Sequence, residues 1–491
     1  MDDCIHDFLD KQNGLRPDAP AVTDTLGIDW NYAELVATSL ALADELTRMG
    51  VQANDRVLIL LENSAAVVAA VFAISRIGAT SVPFNARQTE AEVERIIAHS
   101  DPAVVLFSSA VSKDAATHAK RLGGTPMQAC SGLDGVARHS SPDPDLGDVA
   151  TLLYTTGTTG TPKGVMLTHA NLFFGGKVTC ETRFITHRDK LYGVLPFSHV
   201  FGLTSIVMAG IMSGASVRIA PRFVPADLHK ALTSGITLLS AVPQMHALLM
   251  QYTKEQGHDK LHSKSLRYVS SGAAPLDLDW KRRAEAFFGL QLQNGYGMTE
   301  TTAGISLTNH AESNDDISVG QPFPGVKIKL DYDASDAQGE VGEILVGGGG
   351  VMKGYFRNPQ ETAKAFTKDG WFRTGDLGRY DGGGNLHIAG RSKELIIHGG
   401  FNVYPPEVEA ALNDHPQVIQ SAVAGHVVNG DELVYAFVEA SPKDWPDEAD
   451  LREFAAKRLT GYKRPSRIIV VEKLPAAPTG KILKSKLSEL L

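Results

Sequence analysis

The sequence predicts an α/β protein. A large N-terminal domain of stacked mixed sheets with helices and a small β unit is followed by a small, mobile α+β C-terminal domain. Three observations predict it. Short apolar runs such as "RVLILL" and "PAVVLFSSA" alternate with helical patterns as far as about Leu307, the rhythm of parallel strands with helices outside. From about Ser318 the runs shorten and are split by Gly and Asp ("VKIKLDYD", "GEILVGGG", "GNLHIAG"), as in a small β unit. Beyond "GRSKELIIHGG" a segment of about 100 residues mixes helices and strands, the size of a small domain. The expected domains are 1–391 and 392–491, with a hinge near Lys393.

The elements follow in order. "RVLILL" (56–61) is a buried strand. "NSAAVVAAVFAISRIGA" is a helix capped by Asn63 or Ser64. "TEAEVERIIAHS" opens with Thr89 and Glu92 at capping-box spacing. "DVATLLY", "LYGVLPF", "SVRIA", "ITLLSAV" and "LRYVSSG" are further strands. In the last segment "PPEVEAALNDH" and "DEADLREFAAKRL" are helical, whereas "VIQSAVAG", "LVYAFVEA" and "RIIVVE" are strand-like.

Composition narrows the function. The 491 residues suggest roughly three domains or subdomains, enough for large cores. A net charge of −9 argues against a broad nucleic-acid surface. The three cysteines (Cys4, Cys130, Cys180) show no C-x-x-C spacing and fit a reducing compartment. The start, "MDDCIHDFLDK", is acidic and lacks the apolar core of a signal peptide, and no apolar run reaches membrane-spanning length. A cytoplasmic location is expected.

"YTTGTTGTPKG" (154–164) carries the first chemistry. Glycines let backbone N–H groups approach a ligand, and successive N–H groups form a concave anion site. Threonine hydroxyls add donors and Lys163 adds a charge, so the loop reads as a phosphate cradle. It is not a Walker A loop, because Lys163 follows Pro162 and precedes Gly164. Alone, such a loop reads equally well as a polar turn.

The same loop resembles the phosphate loop of the adenylate-forming enzymes, which include acyl-CoA synthetases, aryl-CoA ligases, peptide-synthetase adenylation domains and luciferases. Further segments match that family in order. "LPFSHVFG" (195–202) resembles its acyl-pocket segment, and "SSGAAPL" (270–276) and "NGYGMTE" (294–300) resemble its adenine and metal segments. "GWFRTGDLG" (370–378) resembles its ribose segment, "GRSKELIIHGGFNVYPPEVE" (390–409) its hinge, and "PTGKILKSKL" (478–487) its C-terminal lysine motif. The resemblance spans nearly the whole chain.

The resemblance implies roles. Thr155, Thr156, Gly157, Thr158, Thr159, Gly160 and Lys163 would hold phosphate. Thr156 stands where most relatives carry serine. Tyr296 would stack on adenine, Asn294 would bond near its amine, and Gly272, Ala273 and Ala274 would line the other side, with Gly295, Gly297 and Met298 completing the segment. Glu300 would hold Mg²⁺, which takes one or two carboxylates beside phosphate and water, and Thr299 would donate to the α-phosphate. Asp376 would accept from the ribose hydroxyls, and Arg391 would contact ribose or phosphate. His199, which alone reads as a core histidine, would line the route from acyl pocket to thiol channel. Lys393 matches the hinge. Gly399 and Gly400 would let pantetheine pass, with His398 a departure from the small residue of many relatives. Lys481 would be the mobile catalytic lysine, with Ala476 and Ala477 in place of polar residues upstream.

The expected function is an AMP-forming carboxylic acid–CoA ligase using ATP, Mg²⁺ and coenzyme A. It activates a monocarboxylic acid, fatty or aryl, as an acyl-adenylate. Gly295 is expected to leave room in the acyl pocket. Because malonate-activating relatives carry arginine there, Gly295 also argues against a dicarboxylate held that way. Transfer to a carrier-protein phosphopantetheine or an amine is the alternative. A P-loop NTPase lacks its motif here, and a regulator without turnover would not need both Lys481 and Glu300. Small molecules are the expected partners, with no nucleic acid and no transmembrane segment, and a homodimer is compatible with the chain.

Overall fold

The apolar runs become the centres of two large sheets in the computed structural model. It describes residues 4–156, 162–309, 314–333, 340–398, 401–428, 431–476 and 482–491. Among the described residues one sheet has eight strands and the other nine. The eight-stranded sheet has a parallel centre built on Arg56–Leu61, Thr80–Asn85 and Val104–Phe107. The nine-stranded sheet has a parallel centre of Lys190–Gly193, Ser216–Ile219, Leu238–Ala241, Tyr268–Ser271 and Leu292–Tyr296. Antiparallel strands close the edges of both, so the sheets are mixed.

Helix Ala65–Ile77 is buried along its length through Ser75, because it belongs to a core cluster shared with residues of both sheets. A helix apolar all round suits such a central layer. Ser64 is its N-cap, accepting from Val67 N–H. Asn63 does different work. Its amide donates to the carbonyls of Gly193 (3.2 Å) and Leu195 (2.9 Å), and its oxygen accepts from Phe197 N–H (2.8 Å). One side chain thus fastens the end of a strand in one sheet to the chain leaving a strand in the other. Thr89 and Glu92 form the expected capping box.

The small β unit is a four-stranded antiparallel sheet of Val326–Asp331, Gly342–Gly348, Phe372–Tyr380 and Leu386–Arg391. After Arg391 come the hairpin Ile396–His398/Phe401–Val403 and a three-stranded sheet of Val418–Val428, Asp431–Ala440 and Arg467–Val471, covered by helices Pro405–Asn413 and Glu448–Ala456. Among the described residues no helix is long and apolar enough to cross a membrane.

The last segment meets the rest of the chain partly through acids. Burial, then a hydrogen bond with Asp277 and the charges of Asp277 and Asp279, raise the Asp414 carboxyl from its ordinary 3.8 to about 6, against the opposing charge of Arg458. Asp277 is the N-cap of helix Leu278–Phe288.

Two predictions follow from these contacts. Asn63→Ala strands the Leu195 carbonyl and the Phe197 N–H and leaves the Gly193 carbonyl only the Ala220 N–H, so its urea midpoint should fall by an amount equivalent to about 2 kcal/mol, whereas Ser64→Gly should cost only a few tenths. Because the raised Asp414 pKa penalises the ionised form in this arrangement, the penalty is absent below about pH 4 and grows as pH rises. It is fully present above about pH 6. Fluorescent labels on either side of this contact should report closer packing at pH 5 than at pH 7.5, and Asp414→Asn should abolish that difference.

Candidate active site

The glycine–threonine segment closes a hairpin. Strands Val149–Thr156 and Pro162–Thr168 pair antiparallel, with Thr155 opposite Lys163 and Thr156 opposite Pro162. A P-loop joins a strand directly to a helix. Here a second strand intervenes, and the helix starts only at His169. Gly157, Thr158, Thr159 and Gly160 lie outside the described residues, as do Gly399, Gly400 and Lys481.

Lys163 projects from the hairpin onto Tyr355. Its Nζ lies 5.0 Å from that ring's centroid and pairs with Glu361. Lys163 and Lys364 hold the Glu361 carboxyl down at about 2. The Tyr355 hydroxyl donates to Glu300 Oε1 (2.9 Å). Burial raises the Glu300 carboxyl above its usual range, against the Tyr355 hydroxyl and the charges of Arg391 and Lys163. Lysine and carboxylate, from distant parts of the chain, are therefore held by one phenol. A buried carboxylate of this kind suits a hard cation such as Mg²⁺. Thr299 lies beside it, also buried, in the turn Thr299–Thr301. Sequence reasoning missed Tyr355 and Glu361, whose signals were only "GYFRNPQE" and an apolar neighbourhood.

Tyr296, Asp376 and Arg391 form the second cluster. The Tyr296 hydroxyl donates to Asp376 Oδ2 (2.6 Å), and Arg391 Nε lies 3.2 Å from Oδ1. Asp376 and Arg391 face each other across paired strands. Burial and the Asp376 charge push the Tyr296 phenol far up, so it stays protonated. Asn294 is buried. Both N–H donors of its side chain go to the carbonyls of Ile317 (3.1 Å) and Ser318 (3.0 Å). Its oxygen is the atom suited to accept from an adenine amine.

Backbone shape fixes the glycine positions. Ala273 adopts φ +67°, and Thr302 and Ala303 follow at +55° and +77°, conformations that side chains rarely take. A Cβ at Gly297 would stand 1.8 Å from the Ala303 carbonyl, so only glycine fits. Met298 caps the turn that holds Glu300, and Ala274 is exposed. At Gly295 the structure alters the expectation of an open space. A Cβ there would meet Leu307 Cδ1 at 3.2 Å. At Gly272 a Cβ would stand 3.3 Å from the Phe201 ring and 3.6 Å from the Gly295 carbonyl.

His199 is exposed, not the core histidine its apolar neighbours suggest, and it precedes the short helix Val200–Gly202, which continues as the wider π-type turn Leu203–Met208. Such turns recur at functional sites. Lys393 is exposed in the turn Ser392–Glu394. The segment that carries Lys481 leaves from Ala476 and returns at Ile482, and these two residues are bridged. Lys484, just beyond, pairs with Glu394 (3.1 Å) and Glu409 (2.7 Å).

The hairpin with Lys163, the Lys163–Tyr355–Glu300 chain and the Tyr296–Asp376–Arg391 cluster all lie, Tyr355 apart, on the segments that carry the sequence motifs. Residues 9–356 match the AMP-binding enzyme family, and residues 407–481 match the AMP-binding enzyme C-terminal domain. The chain is 34% identical over 480 residues to a feruloyl-CoA synthase of an Amycolatopsis species, covering 96% of each. It is 32% identical over 489 residues to the 2-succinylbenzoate–CoA ligase of Geobacillus kaustophilus, covering 99% of this chain and 97% of that one. The o-succinylbenzoate coenzyme A synthetase of Bacillus subtilis, solved with ATP and a magnesium ion, superposes with a TM-score of 0.84 at 29% identity, covering 98% of this chain and 99% of that one. The chain belongs to the AMP-binding enzyme family, among the adenylate-forming acyl-CoA ligases.

The pocket geometry gives a prediction. Gly272→Val drives a branched side chain into Phe201 and should cut kcat/KM for bulky acids about tenfold relative to short ones. Gly295→Ala, which presses on the flexible Leu307, should leave that ratio nearly unchanged.

Proposed function

We propose that this chain joins a monocarboxylic acid to the thiol of coenzyme A in two steps at one site. In the first, a carboxylate oxygen attacks the α-phosphorus of ATP and pyrophosphate leaves. In the second, the thiol attacks the acyl carbon and AMP leaves. The observation that carries the reading is the Lys163–Tyr355–Glu300 chain, which joins the phosphate hairpin to the metal-type carboxylate. The acid is already a nucleophile, so the barrier is electrostatic and preorganised donors and cations lower it. Lys163 serves as a fixed charge beside the hairpin, and Thr155, Thr156, Thr158 and Thr159 add hydroxyl donors. Glu300 would hold Mg²⁺, which neutralises phosphate charge when bound. Tyr296 offers its ring to adenine, and its bond to Asp376 fixes the ring's position. Asp376 and Arg391 face the ribose. His199, exposed at the head of its helix, lies on the thiol side.

The part up to 391 is the AMP-binding domain. The part from 392 turns about a hinge at Lys393 so that Lys481 reaches the phosphates in the first step and Gly399 and Gly400 line the thiol route in the second. The free cysteines favour a reducing, cytoplasmic setting.

The test separates the half-reactions. Acid, ATP and Mg²⁺ should yield AMP and pyrophosphate; ADP and inorganic phosphate as products would sink the reading. Lys481→Ala should slow that step by about a hundredfold or more, as losing a transition-state charge contact does. It should leave thiolysis of a supplied acyl-adenylate nearly intact. Equal losses in both arms would refute the domain alternation.

A further inference from the structure

Arg183 ends the helix His169–Arg183 and is only 6% exposed. Its Nη1 donates to Ser240 Oγ (2.7 Å), and Ser240 in turn meets Ser270 Oγ (3.0 Å) on the neighbouring strand. Its guanidinium lies 6.0 Å from the ring centroid of Phe201 and 5.7 Å from that of Tyr268. Among the described residues no carboxylate pairs with it. Asp189, a nearby acid, is held by Arg267 through both oxygens. The Arg183 Nε is buried and donates to no described group.

The place matters as much as the bonding. Phe201 lies in the segment 195–202, and its ring is the half-buried group that faces Gly272 and, beyond it, Gly295. Arg183 therefore packs against the Phe201 ring, at the end of its helix opposite His169, which follows the hairpin strand Pro162–Thr168. Two ring faces already accommodate its charge. What it lacks is an acceptor for an N–H, and a buried donor left unmade is costly.

We propose that Arg183 is a specificity-determining residue, selecting acids that carry a neutral oxygen acceptor at the end remote from the reacting carboxylate. This rests on the acid–CoA ligase reading of the site. An acid lying along Phe201 ends at Arg183. A hydroxyl there accepts the Nε–H, whereas a methyl group leaves it unpaired. A site built to bond a hydroxyl rejects the analogue that lacks it far more strongly than an apolar pocket rejects an extra methylene.

The experiment compares para-methyl, para-hydroxy and para-carboxy phenylpropanoic acids, with octanoic and ω-hydroxyoctanoic acids as an unbranched pair. Acid-dependent pyrophosphate release gives kcat and KM separately, for the wild type, Arg183→Lys and Arg183→Met. The wild type should favour each hydroxy acid over its methyl partner by about tenfold or more in kcat/KM, mostly through KM. Arg183→Met should reverse that order, and Arg183→Lys should keep it in weakened form. A wild type that prefers the methyl-ended acids, or a methionine variant that ranks the acids as the wild type does, overturns the proposal. Preference for the para-carboxy acid above all others would show that Arg183 awaits a counter-ion and overturns the neutral-acceptor assignment. If Arg183→Met does not fold, the wild-type order alone decides. If no acid releases pyrophosphate, the ligase reading fails, and the same acids ranked by their shift of the wild-type melting temperature still decide whether Arg183 selects an oxygen.

Discussion

A buried carboxylate has to be answered by donors or it will not stay charged, and Asp376 is the place where this chain meets that demand. Its two oxygens are met from opposite directions, by a phenol from the nine-stranded sheet and a guanidinium from the end of the four-stranded one. Each partner needs the others. Without Asp376, Arg391 would be a half-buried cation at the last residue before the C-terminal segment, and Tyr296 would lose the bond that fixes its ring. Thr374 braces the same turn, accepting from Asp376 N–H and donating to the Ile344 carbonyl. The contact therefore ties the nine-stranded sheet to the end of the four-stranded one, at the residue where the C-terminal segment begins.

The same economy of polar groups appears at Asn63 and at Tyr355. Both are side chains that close a gap between sheets, and in both the hydrogen-bonding capacity goes to groups far away in sequence. This explains what could be read in advance. Strands such as Arg56–Leu61 and Val104–Phe107 were legible because a parallel strand buried on both faces must be continuously apolar. Thr89 with Glu92 was legible because a capping box is local. The second glycine in "NGYGMTE" answers a local backbone demand, since a Cβ at Gly297 would run into the Ala303 carbonyl.

Tyr355, Glu361 and Arg183 were not legible, because their chemistry arises from partners that only the folded chain supplies. Gly295 was misjudged for a related reason. A glycine says that a side chain is absent, but which neighbour would have met it depends on strand register, and here that neighbour is Leu307 on the adjacent strand. His199 misled similarly: apolar runs on both sides suggest burial, yet it sits at the exposed start of a helix.

The bridge between Ala476 and Ile482 and the clasp of Lys484 by Glu394 and Glu409 have a consequence for speed. Lys484 ties the end of the chain to the same body that holds the turn Ser392–Glu394. Under the proposed alternation that whole body travels through solvent as one piece. Hydrodynamic drag on a mass of roughly a hundred residues then enters the clock of the reaction. A thick, crowded medium would tax the exchange between half-reactions more than it would tax either chemical step.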